Sequence, residues 1–119
     1  MSQREVNTKM KEIKAALKEL GFKKGRLPLD DDYRYETGGH YCLNVRLIPE
    51  QQYCPVQIIL KADYHDTNYD DVMSTHTNFA PDKLGRVIPA LKKSIKILDS
   101  LNKKFKQITN QIEAFESLK

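Results

Sequence analysis

The chain has no tryptophan, and among its 119 residues it holds only two cysteines, five glycines and five prolines. It also lacks any stretch of about 18 consecutive apolar residues, the length a membrane-crossing helix needs. Its first twenty residues, "MSQREVNTKMKEIKAALKEL", alternate charge with apolar side chains and contain no charged-then-apolar leader. These absences lead to the expectation of a soluble, unexported, cytoplasmic protein with no membrane partner. So few cysteines exclude a disulfide-stapled scaffold. Cys42 has the parity opposite to Leu43 and Val45, while Cys54 shares that of Val56 and Ile58, so the two are expected on opposite faces of a sheet, with no disulfide between them.

What is present is charge, at 30% of residues, with 39% hydrophobic residues. That suits a single domain over residues 1–119 with one core. The net charge of +4 hides a segregation: residues 1–26 carry eight Lys/Arg against three acids, residues 27–80 three against nine, and residues 81–119 nine against four. Basic ends around an acidic middle point to a polyanionic partner for the ends, or to pairing of the ends with the chain's own middle.

Val6, Met10, Ile13, Leu17 and Leu20 recur at helical spacing, which predicts an amphipathic first helix. Gly21 can end it in a left-handed cap with Phe22 folding back. Three strand-like runs follow the turn-rich "KGRLPLDDD": "DYRYE", "HYCLNVRLI" and "PVQIILKADYH", each with one apolar and one mostly polar face. A three-residue loop Thr37-Gly38-Gly39 is expected to pair Tyr35 with Tyr41 and Tyr33 with Leu43. "APDKLGR" suits a short helical turn, and Pro89 suits the first turn of the next helix. From Leu91 through Ile95, Leu98, Leu101, Phe105, Ile108, Ile112 and Phe115 the apolar spacing holds at three to four, predicting a helix of nearly thirty residues. Such a helix outruns any small sheet, so its far end is expected to pack on the first helix or on a second copy.

The fold expectation is therefore α+β: two layers in α-β-β-β-α order, a three-stranded antiparallel sheet packed on the N-terminal helix and a long C-terminal helix. In outline this order is similar to double-stranded RNA-binding domains, which use a helix N-terminus and adjacent lysines, here Lys92 and Lys93, to reach across a groove. The chain lacks their glycine-rich approach to that helix and inserts about twenty residues before it, so the likeness is one of element order.

Three constellations carry chemistry. Lys92, Lys96, Lys103 and Lys106 fall on one line of the last helix, and Lys11, Lys14 and Lys18 on the first; regularly spaced cations can neutralise successive phosphates, though solvated helix faces are also rich in lysine. His40, Cys42, Lys61, Asp63 and His65 share the polar sheet face, a set from which a nucleophile and base, or a metal-free phosphodiester cleavage of the RNase kind, could be assembled. "DTNYDDVMSTHT" places Asp66, Asn68, Asp70 and Ser74 at calcium-loop positions, but Asp71 replaces the turn glycine, Thr77 replaces the closing glutamate, and a strand precedes it. Zinc held by Asp63, His65 and His76 matches no recurrent spacing. No cofactor and no metal is expected.

The leading expectation is a small non-catalytic accessory or regulatory protein that lays its basic helix faces on an anionic partner, nucleic acid before others. One alternative is a protein-interaction module of the inhibitor, immunity or adaptor type, docking through the acidic middle with Asp30, Asp31 and Asp32 or through the long helix, which also offers a homodimer. The other is a hydrolase on the polar sheet face.

Overall fold

The computed structural model describes residues 2–25, 31–37, 41–62 and 74–118. Ser2 starts the first helix, α1 (Gln3–Leu20), by accepting the Glu5 N–H at 3.2 Å, which satisfies one of the donors a helix N-terminus leaves open. Val6, Met10, Ile13 and Leu17 are buried, each contributing about 1.5–3 kcal/mol before entropic costs. The helix stops as its sequence implies. Gly21 takes φ +95°, its N–H donates to the Lys18 carbonyl at 3.2 Å, and the Phe22 N–H donates to the Leu17 carbonyl at 2.9 Å. These are the two bonds of a Schellman ending.

Five strands, β1 (Lys23–Lys24), β2 (Asp32–Glu36), β3 (Tyr41–Leu47), β4 (Val56–Ala62) and β5 (Ser74–Phe79), form one antiparallel sheet in chain order. The α+β architecture with its two flanking helices agrees with the expectation; the count of three strands does not. The two additional strands lack the alternation by which strands are recognised. β1 is a pair of exposed lysines, and in β5, "STHTNF", residues 75–78 are exposed on both faces, so no apolar parity was required of them. The span Ser74–Phe79, in which the sequence pattern offered no strand, is the far edge of the sheet. With two more strands and a 30-residue last helix, the element-order likeness to double-stranded RNA-binding domains ends at the outline.

One face of the sheet buries Tyr33, Leu43, Val45, Leu47, Val56, Ile58 and Phe79 against the helices. The β2–β3 register differs from the expected one by two residues: Tyr35 lies opposite Leu43 and Tyr33 opposite Val45. Because side chains alternate with period two, this shift leaves every residue on its expected face. The last helix takes up the backbone group that this register leaves open. The Tyr41 N–H, which the expected register would have given to β2, donates instead to Asn102 Oδ1 at 3.0 Å.

A 3₁₀ turn (Pro81–Arg86) leads into that helix, α2 (Val87–Glu116), with Pro89 in its first turn, where a missing N–H costs nothing. At 1.5 Å per residue its 30 residues run about 45 Å, and the molecule measures 64 × 28 × 22 Å. Val87, Leu91 and Leu98 are fully buried. Farther on, Ile108, Ile112 and Phe115 are 56%, 54% and 66% exposed. The far end thus does not pack on α1, which meets α2 near its start, where Ala16 and Leu20 share a groove with Ile88.

Candidate binding surface on the long helix

The position of α2 is set by what its inner stripe touches. Leu91 and Leu98 sink into the core that the helices share with the sheet, and Asn102, one turn on, meets the β2–β3 hairpin at Thr37 and Tyr41, the end where its strands are joined. Its side chain accepts from the Tyr41 N–H at 3.0 Å and donates to Thr37 Oγ1 at 2.6 Å and to the Tyr41 carbonyl at 3.3 Å. Phe105 follows with an edge-on contact to the Tyr41 ring, centroids 6.4 Å apart at 79°. Beyond Phe105 the helix leaves the sheet.

With the inner stripe so fixed, geometry at 100° per residue places Lys92, Lys96, Lys103 and Lys106 together on one outward flank. All four are exposed, and none makes an ion pair with a described residue. Lys93 and Lys104, also exposed, continue this surface over the crest of the helix. From Lys92 to Lys106 it carries six lysines against Asp99 alone, over about 21 Å. The helix supports this charge rigidly because Leu98 and Asn102 anchor it midway.

The first-helix lysines are placed differently. Lys11, Lys14 and Lys18 lie on the flank of α1 opposite to Glu12 and Glu19. The latter pair line a shallow groove of about 370 Å³ with Ala15, Ala16, Ile88 and Lys92. The two lysine stripes therefore do not merge, and an acidic flank faces Lys92 between them. Lys14 Nζ lies 3.6 Å from Asp31 Oδ1, and Lys24 approaches the same oxygen at 4.0 Å. Asp32 in turn accepts from Arg46 Nε at 3.3 Å. Part of the acidic middle is thus engaged by the chain's own cations, whose exposure keeps each pair's worth within about 0–1 kcal/mol. Asp30 lies outside the described residues.

The polar sheet face is placed only in part, since His40, Asp63 and His65 lie outside the described residues. The register sets Cys42 between Glu36 and Lys61, and Lys61 opposite Ser74. Cys42 is 1% exposed, a setting unlike that of reactive thiols, which are partly accessible in electropositive surroundings. Arg34 pairs with Glu36 on the same face, and Asn44 Oδ1, opposite Arg34, has no hydrogen-bond partner among the described residues. Cys54 sits half-buried in the turn before β4, not within a strand, and no disulfide joins it to Cys42.

Of the calcium-loop set, Asp66, Asn68 and Asp70 lie outside the described residues, and Ser74 is the first residue of β5. His76 is exposed on that strand, opposite Ile59. Among the described residues no three His, Cys, Asp or Glu side chains stand close enough to hold a metal ion. No helix among them is long and apolar enough to cross a membrane.

Sequence reasoning did not find Asn102, although it lies at 20° from Leu91 on the buried side of α2, where a polar residue needs a partner. It also assigned Ile97 to no surface, whereas that side chain is 46% exposed, to one side of the inner stripe. No family model matches the chain, and no curated protein or solved structure matches it either.

Proposed function

We propose that the protein is a small non-catalytic accessory or regulatory binding protein that lays the lysine flank of α2 on an anionic partner, nucleic acid. The observation that carries this reading is the density of the α2 flank: Lys92, Lys96, Lys103 and Lys106 stand exposed without a described counter-ion on a helix fixed to the sheet, while the α1 set is smaller and one of its members, Lys14, faces Asp31 of its own chain. Lysine is a compact point charge and not a fork, so such a flank contacts phosphates and reads no base sequence. Arg4, Arg26 and Arg86 are the only arginines in the basic ends.

Four phosphate contacts imply a log–log salt slope near −3.6 on a duplex, so affinity falls on the order of 100-fold between about 50 and 200 mM salt. Fluorescence anisotropy with labelled mixed-sequence DNA and RNA duplexes measures it. Undetectable binding at low salt, or binding that barely responds to salt, refutes the reading.

A further inference from the structure

Beyond the lysine flank, α2 carries a second surface that the described residues leave uncovered. Leu98, Leu101, Phe105, Ile108, Ile112 and Phe115 follow one another at intervals of three, four, three, four and three, the a/d rhythm of a coiled-coil seam. Its first half is spent on the sheet. Its second half is open: Ile108 is 56%, Ile112 54%, Phe115 66% and Leu118 81% exposed. The charges beside it are segregated along the helix, with Lys103, Lys104 and Lys106 first and Glu113 and Glu116 last.

We infer that this overhang pairs with the same segment of a second copy of the chain, antiparallel and centred near Asn110. Packing selects the direction. Two helices running parallel in register would bring the two sheets, each seated on the first half of the same seam, into collision, while antiparallel pairing keeps them apart. The apolar layers agree with that centre. Phe105 faces Phe115 of the second copy and Ile108 faces its Ile112, each an a position against a d. The length agrees to within one turn: Leu118 of the second copy reaches the level of Asn102, one turn inside the point beyond Phe105 where α2 leaves the sheet, and the two folded bodies sit at opposite ends.

The area is sufficient for a reversible dimer. At roughly 120 Å² for a fully buried aliphatic side chain and about 200 Å² for phenylalanine, the exposed fractions of these four residues amount to about 360 Å² per copy. Two copies bring about 700 Å² of apolar surface, and since interfaces are about 60% apolar, the total burial is about 1,200 Å². That is the lower edge of stable interfaces, which makes association dependent on protein concentration in the micromolar range. The inference is independent of the nucleic-acid reading and is tested without nucleic acid.

Analytical ultracentrifugation of the full chain over the micromolar range, beside the Ile112→Glu variant, reads the equilibrium. The expected result is a monomer–dimer equilibrium for the wild type and a monomer for the variant, with unchanged circular dichroism because Ile112 lies outside the core. A wild-type monomer throughout, or a variant that still dimerises, overturns the inference. Direction is read with a spin label on Ser100→Cys in a Cys54→Ser background, Cys42 being buried. The antiparallel pair separates the labels by more than about 30 Å, twenty residues of offset at 1.5 Å each. A distance under about 20 Å, as parallel helices would give, overturns the antiparallel arrangement.

Discussion

Replacing Asn102 by alanine removes three hydrogen bonds that tie α2 to the β2–β3 hairpin, to the Tyr41 N–H, the Tyr41 carbonyl and Thr37 Oγ1. Each such bond contributes about 0.5–1.5 kcal/mol, and water refills those near the surface. The Tyr41 N–H is part-buried and keeps no strand partner on the β2 side, so most of the cost is its desolvation, about 1–3 kcal/mol. The sum for Asn102→Ala is about 2 kcal/mol, equivalent to roughly 6–10 °C in Tm for a domain of this size. Urea titration should show a lower midpoint at unchanged slope, since the surface exposed on unfolding stays the same. Thr37→Val, which removes the Thr37 bond alone, should cost less than about 1 kcal/mol. If Asn102→Ala costs under about 0.5 kcal/mol, or less than Thr37→Val does, Asn102 is not the clamp that ties α2 to the hairpin.

Three further outcomes follow from the same structure. Burial, and then the negative charge of Asp31, raise the Tyr33 phenol above its ordinary 10.0; the unfolded chain ionises first, so stability holds below about pH 10 and falls as pH rises from there through the folded value, and Tyr33→Phe should abolish that alkaline loss in thermal melts. Gly21→Ala should cost about 1–2 kcal/mol by denaturant titration, because φ +95° strains any side chain while the added methyl meets the Tyr35 ring only at an ordinary 3.6 Å. Leu98→Ala, at 0% exposure, should cost about 2–5 kcal/mol, whereas Ile108→Ala on the overhang should leave the dilute protein's stability within about 0.5 kcal/mol.

The sequence spoke most clearly where a residue's burial repeats with a period. Val6, Met10, Ile13 and Leu17 announced α1, Gly21 its end, and the alternation from Tyr41 to Leu47 the central strand, because one buried face imposes the pattern. β1 and most of β5 were silent for the converse reason: Lys23, Lys24 and residues 75–78 are exposed on both sides and held by backbone bonds to a neighbour already in place, and such bonds leave no mark on residue type. The observed hairpin register goes with a long-range contact, from Asn102 to Tyr41 across 61 positions, which no local turn rule contains. For the candidate surface, the lysine line on α2 was visible as spacing. Its separation from the α1 lysines was not, because that depends on which flank of each helix the packing turns toward the other. The apolar rhythm past Phe105 was equally visible, but spacing alone does not distinguish a stripe covered by the sheet from one that extends past it.

In the function we propose, α2 is the element that meets an anionic partner. The most direct test is anisotropy with one labelled duplex at low salt, comparing the variant with Lys92, Lys96, Lys103 and Lys106 all changed to glutamine against the variant with Lys11, Lys14 and Lys18 so changed. The α2 variant should lose the salt-dependent binding, its slope dropping by up to about 3.6, while the α1 variant keeps most of the affinity and nearly the full slope. Binding that survives in the α2 variant with its salt slope intact would contradict the account.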